Sequence, residues 1–162
     1  ISYLVDVSRK TLEPEKNILN FALYVAFFPQ LLAGPIERAA RLLPQIRELK
    51  NPTFNLIRGG ITLMVIGYFK KAVIADNLNP IVIETFANID SLDSFHLLTG
   101  LILFSFQLYF DFSGYSDIAR GIAKLFGINL MLNFDQPFFS QSIGEFWRTW
   151  HISLSTWLRD YV

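Results

Sequence analysis

Histidine changes charge near neutral pH and is a natural general base. The chain has two, His96 and His151. His151 lies in Phe146-Trp-Arg-Thr-Trp-His-Ile-Ser-Leu-Ser-Thr-Trp157, a stretch that holds all three tryptophans and a run of hydroxyls. A hydroxyl substrate that reached either ring nitrogen could lose its proton to His151 while attacking an acyl donor. The bland alternative is a histidine merely packed on a surface helix. Ser153 and Ser155 could be nucleophiles in principle, but serines in membrane helices more often bond back to a carbonyl one turn earlier. A second polar cluster is Asp111-Phe-Ser-Gly-Tyr-Ser-Asp117. On a helix, Ser113, Asp117, Arg120 and Lys124 form one stripe, in which Asp117 pairs with Arg120 a turn on. Asp111 falls on another face with Gln107 and Tyr115. A carboxylate at membrane depth costs about 2.5–3.5 kcal/mol on insertion scales. It therefore either faces a wet cavity or is a structural group bonded by Tyr115 and a neighbouring helix. There is no cysteine, which excludes thiolate catalysis, disulfides and cysteine metal sites. The two histidines are too far apart in sequence to suggest a local zinc motif.

The element that must carry His151 has a clear start. Ser142-Ile-Gly-Glu145 reads as a capping box, with the Ser142 hydroxyl on an orphan N–H and Glu145 reaching back. Wound continuously, the segment puts Trp147, Trp150, His151, Leu154, Trp157, Leu158 and Tyr161 in one arc. Glu145, Arg148, Thr149, Ser155, Thr156, Arg159 and Asp160 take the other side. An aromatic face opposite a mixed-charge face suits a membrane interface.

Composition agrees. Of 162 residues, 52% are hydrophobic, 15% aromatic and 17% charged, whereas soluble domains run about 45–50% apolar and about 25% charged. Net charge is zero and no basic stripe is present, so no nucleic-acid partner is expected. Residues 1–16 read as a charged interfacial loop broken by Pro14. Asn17 to Ile36 carries no charge and is long enough to span. Pro29 and Gly34-Pro35 make it either a proline-bearing span or a broken, re-entrant segment. The loop from Glu37 to Arg58 is basic (Arg38, Arg41, Arg47, Lys50, Arg58), and reads as cytoplasmic with a short surface helix over Ala39 to Leu49. Asn55 to Asp76 reads as a spanning helix. Gly59, Gly60 and Gly67 would allow close helix approach, and Lys70-Lys71 would snorkel to the headgroups. The acidic stretch Asp76 to Asp93 suits the outer face, with Ile81-Val-Ile83 dipping in and returning. Phe95 to Phe126 is the longest helix, opening at Ser94 and closing at Gly127. The expectation is an all-α, polytopic helical membrane protein with three or four membrane segments, some broken or interfacial. Ile1 and an uncapped pattern at Val162 mark it as an internal fragment of a larger bundle: one partial domain, 1–162, truncated at both ends.

Four strings carry a resemblance: Phe28-Pro-Gln-Leu-Leu-Ala-Gly-Pro-Ile36, Tyr109-Phe-Asp-Phe-Ser-Gly-Tyr-Ser-Asp-Ile118, Asn133-Phe-Asp-Gln-Pro-Phe138 and Glu145-Phe-Trp-Arg-Thr-Trp-His-Ile-Ser-Leu-Ser-Thr-Trp-Leu-Arg-Asp160. In this order they resemble the membrane-bound O-acyltransferase (MBOAT) family, above all its branch that O-acetylates bacterial alginate and peptidoglycan. The D-alanyl transfer proteins of teichoic acids are a more distant branch. The resemblance implies transfer of an acyl group, acetyl in that branch, onto hydroxyls of a cell-envelope polysaccharide, by helices ringed around a tunnel. His151 matches the histidine of the family's Trp-His-Ile-Ser-Leu-Ser string. The family's other histidine sits in a Trp-His-Gly string beyond Val162. His151 is thus either the base or a group that orients substrate, and the fragment alone is expected to be inactive. Trp147, Arg148, Trp150, Ser155 and Asp160 would shape or support the site, and Asp111 and Asp117 would tie helices beside it. His96 matches no family site and reads as a loop residue. No metal or tightly bound cofactor is implied. The donor would be acetyl-CoA, or an acyl group handed over by a partner, and the setting a multi-pass protein of the bacterial inner membrane. The competing class is a transporter or scaffold that passes acyl groups or lipid-linked sugar to a separate periplasmic transferase.

Overall fold

The computed structural model describes residues 1–31, 34–49 and 51–162. Leu32 and Ala33 of the uncharged segment, and Lys50 of the basic loop, lie outside the described residues. All regular structure among the described residues is helical. It begins with α1 (Ser2–Ser8), where a loop was expected, and α2 (Ile18–Ala26), capped by Asn17. α2 stops at the extended Phe27, and a single turn, α3 (Phe28–Leu31), follows. The uncharged segment is therefore broken, the second of its two expected forms.

α4 (Ala39–Arg47) is two-faced: Ala39, Leu42, Leu43 and Ile46 are buried, while Ala40, Arg41, Pro44 and Arg47 stay exposed, as suits the short surface helix expected there. The buried four form one core with Tyr24 and Phe27 of the α2 region, Ala123, Ile128 and Leu130. α5 (Phe54–Tyr68) starts at Thr53, whose hydroxyl accepts from the Leu56 amide. It runs through a widened π turn, Phe69–Ala75, into α6 (Asp76–Ala87). Ile81-Val-Ile83 is thus part of a continuing helix and not a separate dip.

α7 (Ser94–Leu125) is the organising element. Asp93, not Ser94, caps it by accepting from the His96 amide, and His96 belongs to its first turn rather than to a loop. Thr99 and Ser105 bond their own upstream carbonyls, so their hydroxyls are satisfied in apolar surroundings. Gly127, at φ 76, ends the helix in a Schellman motif, with Ile128 N–H on the Ala123 carbonyl and Gly127 N–H on Lys124. By length and composition α7 is the one helix among the described residues able to cross a membrane.

α5 packs antiparallel on α7 through reciprocal glycines. A Cβ on Gly67 would stand 2.5 Å from the Gly114 carbonyl oxygen, and one on Gly60 would stand 2.8 Å from that of Gly121. The π turn then places two consecutive lysines against α7. Lys70 Nζ lies 2.7 Å from Asp117, and Lys71 Nζ lies 2.5 Å from Asp111 and 2.7 Å from Asp76. The lysines therefore do not snorkel, because the carboxylates of the neighbouring helix are nearer. Asp117 also pairs with Arg120 at 3.2 Å, as the sequence suggests.

After Gly127 an irregular strap, residues 128–136, climbs back along α7 to a short 3₁₀ turn, Pro137–Phe139. Then come α8 (Ile143–Thr149) and α9 (Ile152–Tyr161). Large apolar side chains remain exposed along α5 and α7, including Phe95 (74%) and Val65 (64%). Apolar surface on this scale marks contact with lipid or with further protein.

Candidate active site

The continuous helix expected over Glu145 to Tyr161 is two helices. α8 ends at Trp150, which is extended (ψ 127), and His151 stands at φ 41, ψ 55 as the N-cap of α9. The single aromatic arc is therefore divided at the histidine. The start is close to the expected cap: Ser142 Oγ accepts from Glu145 N–H, while Glu145 reaches Gln141 N–H, one residue earlier than a capping box requires.

The break is held from outside. Asp135 N–H donates to the Thr149 carbonyl (2.9 Å), and Ile152 N–H donates to that of Asn133 (2.8 Å). The strap thus brackets Trp150 and His151 from both sides. Left-handed backbone on a non-glycine residue is uncommon and persists where the surroundings over-determine it.

The His151 ring meets Phe112 edge-on at 4.6 Å and lies nearly parallel to Phe134 at 6.3 Å. No hydrogen bond or ion pair engages either ring nitrogen among the described residues. Burial pushes the His151 pKa down from the ordinary histidine value, so the ring is a neutral base at neutral pH. Phe112 is about 27 Å along α7 from Ser94 and about 20 Å from Leu125 at 1.5 Å per residue. His151 is thus level with the middle of the membrane-length helix, not with its end.

Trp150 closes the same wall, 5.0 Å from Phe134, 5.4 Å from Phe146 and 6.2 Å from Tyr109. Ser155 N–H bonds the His151 carbonyl, and its hydroxyl donates to the Trp150 carbonyl at 3.2 Å, so it is not poised as a nucleophile. Ser153 is fully buried and its hydroxyl has no hydrogen-bond partner among the described residues. Trp147, Arg148 and Ser155 line one open cleft between α8 and α9, together with Ile152, Thr156 and Arg159. Asp160 lies at the far end of α9, bonded by Arg38 at 3.3 Å and by Arg159. Its neighbour Tyr161 donates to Asp6, and burial with that bond pushes the phenol up to about 12. Asp111 and Asp117 face the π turn and serve the α5–α7 seam. No cluster of three His, Asp or Glu side chains able to hold a metal ion occurs among the described residues.

The residues not marked by the sequence are those that hold the break, Asn133 and Asp135, and those that pack on its rings, Phe134, Phe112 and Tyr109. Two of the resembling strings contain them, but neither periodicity nor charge marks them as neighbours of position 151.

The fold is all-helical among the described residues, with one helix of membrane-spanning length and a histidine presented to its middle. The model of MBOAT, the membrane-bound O-acyltransferase family, matches residues 7–162, and the chain belongs to that family. It is 47% identical over its whole length to the probable alginate O-acetylase AlgI of Azotobacter vinelandii, covering 32% of that protein. It is 43% identical over 90% of its length to the peptidoglycan O-acetyltransferase of Helicobacter pylori, covering 28% of it. The teichoic acid D-alanyltransferase of Bacillus subtilis is 34% identical over 98% of the chain, covering 41% of that protein. The chain spans about a third of the length of the alginate O-acetylases it matches.

Proposed function

We propose that the protein containing this chain is a multi-pass O-acyltransferase of the bacterial inner membrane that moves an acetyl group onto hydroxyls of a cell-envelope polysaccharide. Alginate and peptidoglycan are the polymers in the names of its O-acetylating relatives, and an alginate-like exopolysaccharide or peptidoglycan is the acceptor here. The single observation that carries the reading is His151, neutral, free at both ring nitrogens among the described residues and level with the middle of α7, in a chain of this family. In the reaction an acceptor hydroxyl gives its proton to a His151 ring nitrogen as its oxygen attacks the acyl carbon. The donor's leaving group departs with the electron pair of the broken acyl bond. Trp150 and Phe134 keep water from the imidazole, and Trp147, Arg148 and Ser155 line the approach from the α8–α9 cleft. Asp160 holds the end of α9, and Asp111 and Asp117 fix α7 beside the site. The donor is acetyl-CoA, or an acyl group handed over by a partner protein. The 1–162 stretch is one part of a larger helical domain.

The transporter reading draws on Asp111 at membrane depth and on broken helices. Asp111 is paired with Lys71 across the α5–α7 seam, which gives it a structural role, and broken helices suit either reading.

Membrane vesicles carrying the full-length protein test the proposal. Supplied with labelled acetyl-CoA on either face, they should move label into de-O-acetylated alginate or peptidoglycan fragments. Label that crosses the membrane without esterifying either polymer would favour the transporter.

A further inference from the structure

Glu37 is the one fully buried carboxylate side chain in the ion pairs among the described residues. Its ion pair with Arg41 is long, 3.4 Å, to a side chain that is itself 45% exposed, and Glu37 Oε2 has no hydrogen-bond partner among the described residues. Burying a carboxylate costs several kcal/mol, and such a contact offsets little of it. The firm bond at Glu37 is a different one: Oε1 accepts the backbone N–H of Met131, in the strap. Gln45, two turns on along α4, grips the strap again. Its Oε1 accepts from Asn129 N–H at 2.8 Å and its Nε2 donates to the Asn129 carbonyl at 3.2 Å. Two residues past Met131, the Asn133 carbonyl takes Ile152 N–H, and Asn133 Nδ2 donates to Ser116 of α7 at 2.9 Å.

We propose that Glu37 is a positioning residue for His151, acting through the strap: its carboxylate fixes Met131, and the fixed strap holds the left-handed turn at His151. This rests on the reading of His151 as the group that handles the proton. An anchor just ahead of α4 is needed because residues 128–136 have no regular structure to stiffen them. Slack at Met131 would pass directly to the Asn133 carbonyl and to Phe134, the groups that hold and cover the imidazole.

The test labels His151 with diethyl pyrocarbonate in membranes holding the full-length protein, and reads the rate by mass spectrometry against pH. Only the neutral imidazole reacts, so the pH midpoint reports its pKa without any need for activity. Glu37→Ala should speed labelling several-fold and move the midpoint up towards about 6.5. Polysaccharide acetate should fall by up to about 100-fold, the scale of an ångström's misplacement. Glu37→Gln, which keeps an acceptor for Met131 N–H, should restore wild-type labelling and most of the acetate. Gln45→Ala should move labelling the same way but less. Phe134→Ala, which strips the ring's own cover, serves as the positive control. Wild-type labelling in Glu37→Ala alongside a shifted Phe134→Ala overturns the proposal. If Glu37→Ala does not reach the membrane, wild-type labelling in Gln45→Ala overturns it instead. Undiminished acetate in a His151 variant would defeat the catalytic reading while leaving the labelling result to stand by itself.

Discussion

At the scale of the residue, His151 has two separable properties, a left-handed backbone and a neutral imidazole. Asparagine tolerates left-handed backbone better than most residues but cannot act as a base near neutral pH. His151→Asn should therefore melt within about 1 kcal/mol of wild type, the ordinary range for a tolerated substitution, and still lose acyl transfer. A thermal melt of the solubilised full-length protein, paired with a transfer assay, checks both halves. The depressed pKa also has a sign. The base form predominates above the folded-state pKa, so the acid limb of the rate profile should fall below about 6.5. Phe134→Ala re-wets the ring, which should raise its pKa and move that limb to higher pH. A profile unchanged by the substitution would mean that Phe134 does not control the hydration of His151.

At the scale of the element, the α5–α7 seam depends on the absence of side chains at chosen glycines. Gly67→Ile would drive its Cβ into the Gly114 backbone, which cannot yield as a side-chain tip does. We expect a loss of about 1–3 kcal/mol, the usual cost of overpacking. Gly59 is the internal control, since a Cβ there meets only Lys124 Nζ at 3.7 Å. Gly59→Ala should be neutral or stabilising by about 0.5–1 kcal/mol, as glycine is a poor helix former. Both changes can be followed by thermal melting, and equal destabilisation would contradict the glycine seam. Close approach was legible in the sequence at Gly60 and Gly67, though not at Gly59, which was grouped with them and meets only Lys124 Nζ; the Ser142 cap and the Gly127 stop were legible too. The break at Trp150-His151 was not. Neither residue is glycine or proline, and the apolar period runs through them unbroken from Glu145 to Tyr161. What divides the helix is tertiary: Asn133 and Asp135 offer backbone partners to Ile152 N–H and to the Thr149 carbonyl, which would otherwise find theirs within a helix. A period read along one segment cannot register a partner that arrives from another.

At the scale of the whole molecule, a strap and two short helices fold back along one long helix and carry the histidine from that helix's end to its middle. The family and the all-helical class could be read from the four motif strings. The depth of His151 could not, because it depends on how far residues 128–136 climb. The surface left by this arrangement is widely apolar, which suits a larger bundle and surrounding lipid. Two ion pairs cross the α5–α7 seam, Lys70 with Asp117 and Lys71 with Asp111. Removing Asp117 would leave Lys70 and Arg120 without their shared carboxylate. Asp117→Asn should lower thermal stability by about 1–3 kcal/mol, the scale of a hydrogen bond to a charged group, since the cluster is only partly buried, a loss readable by melting the solubilised protein. The central claim is acyl transfer that depends on His151. The most direct measurement compares ester-linked acetate on extracellular polysaccharide and on peptidoglycan in cells carrying wild type or His151→Ala, at matched membrane levels of the full-length protein. Loss of acetate from one polymer is the predicted result and identifies the acceptor; unchanged acetate on both would contradict a catalytic role for His151.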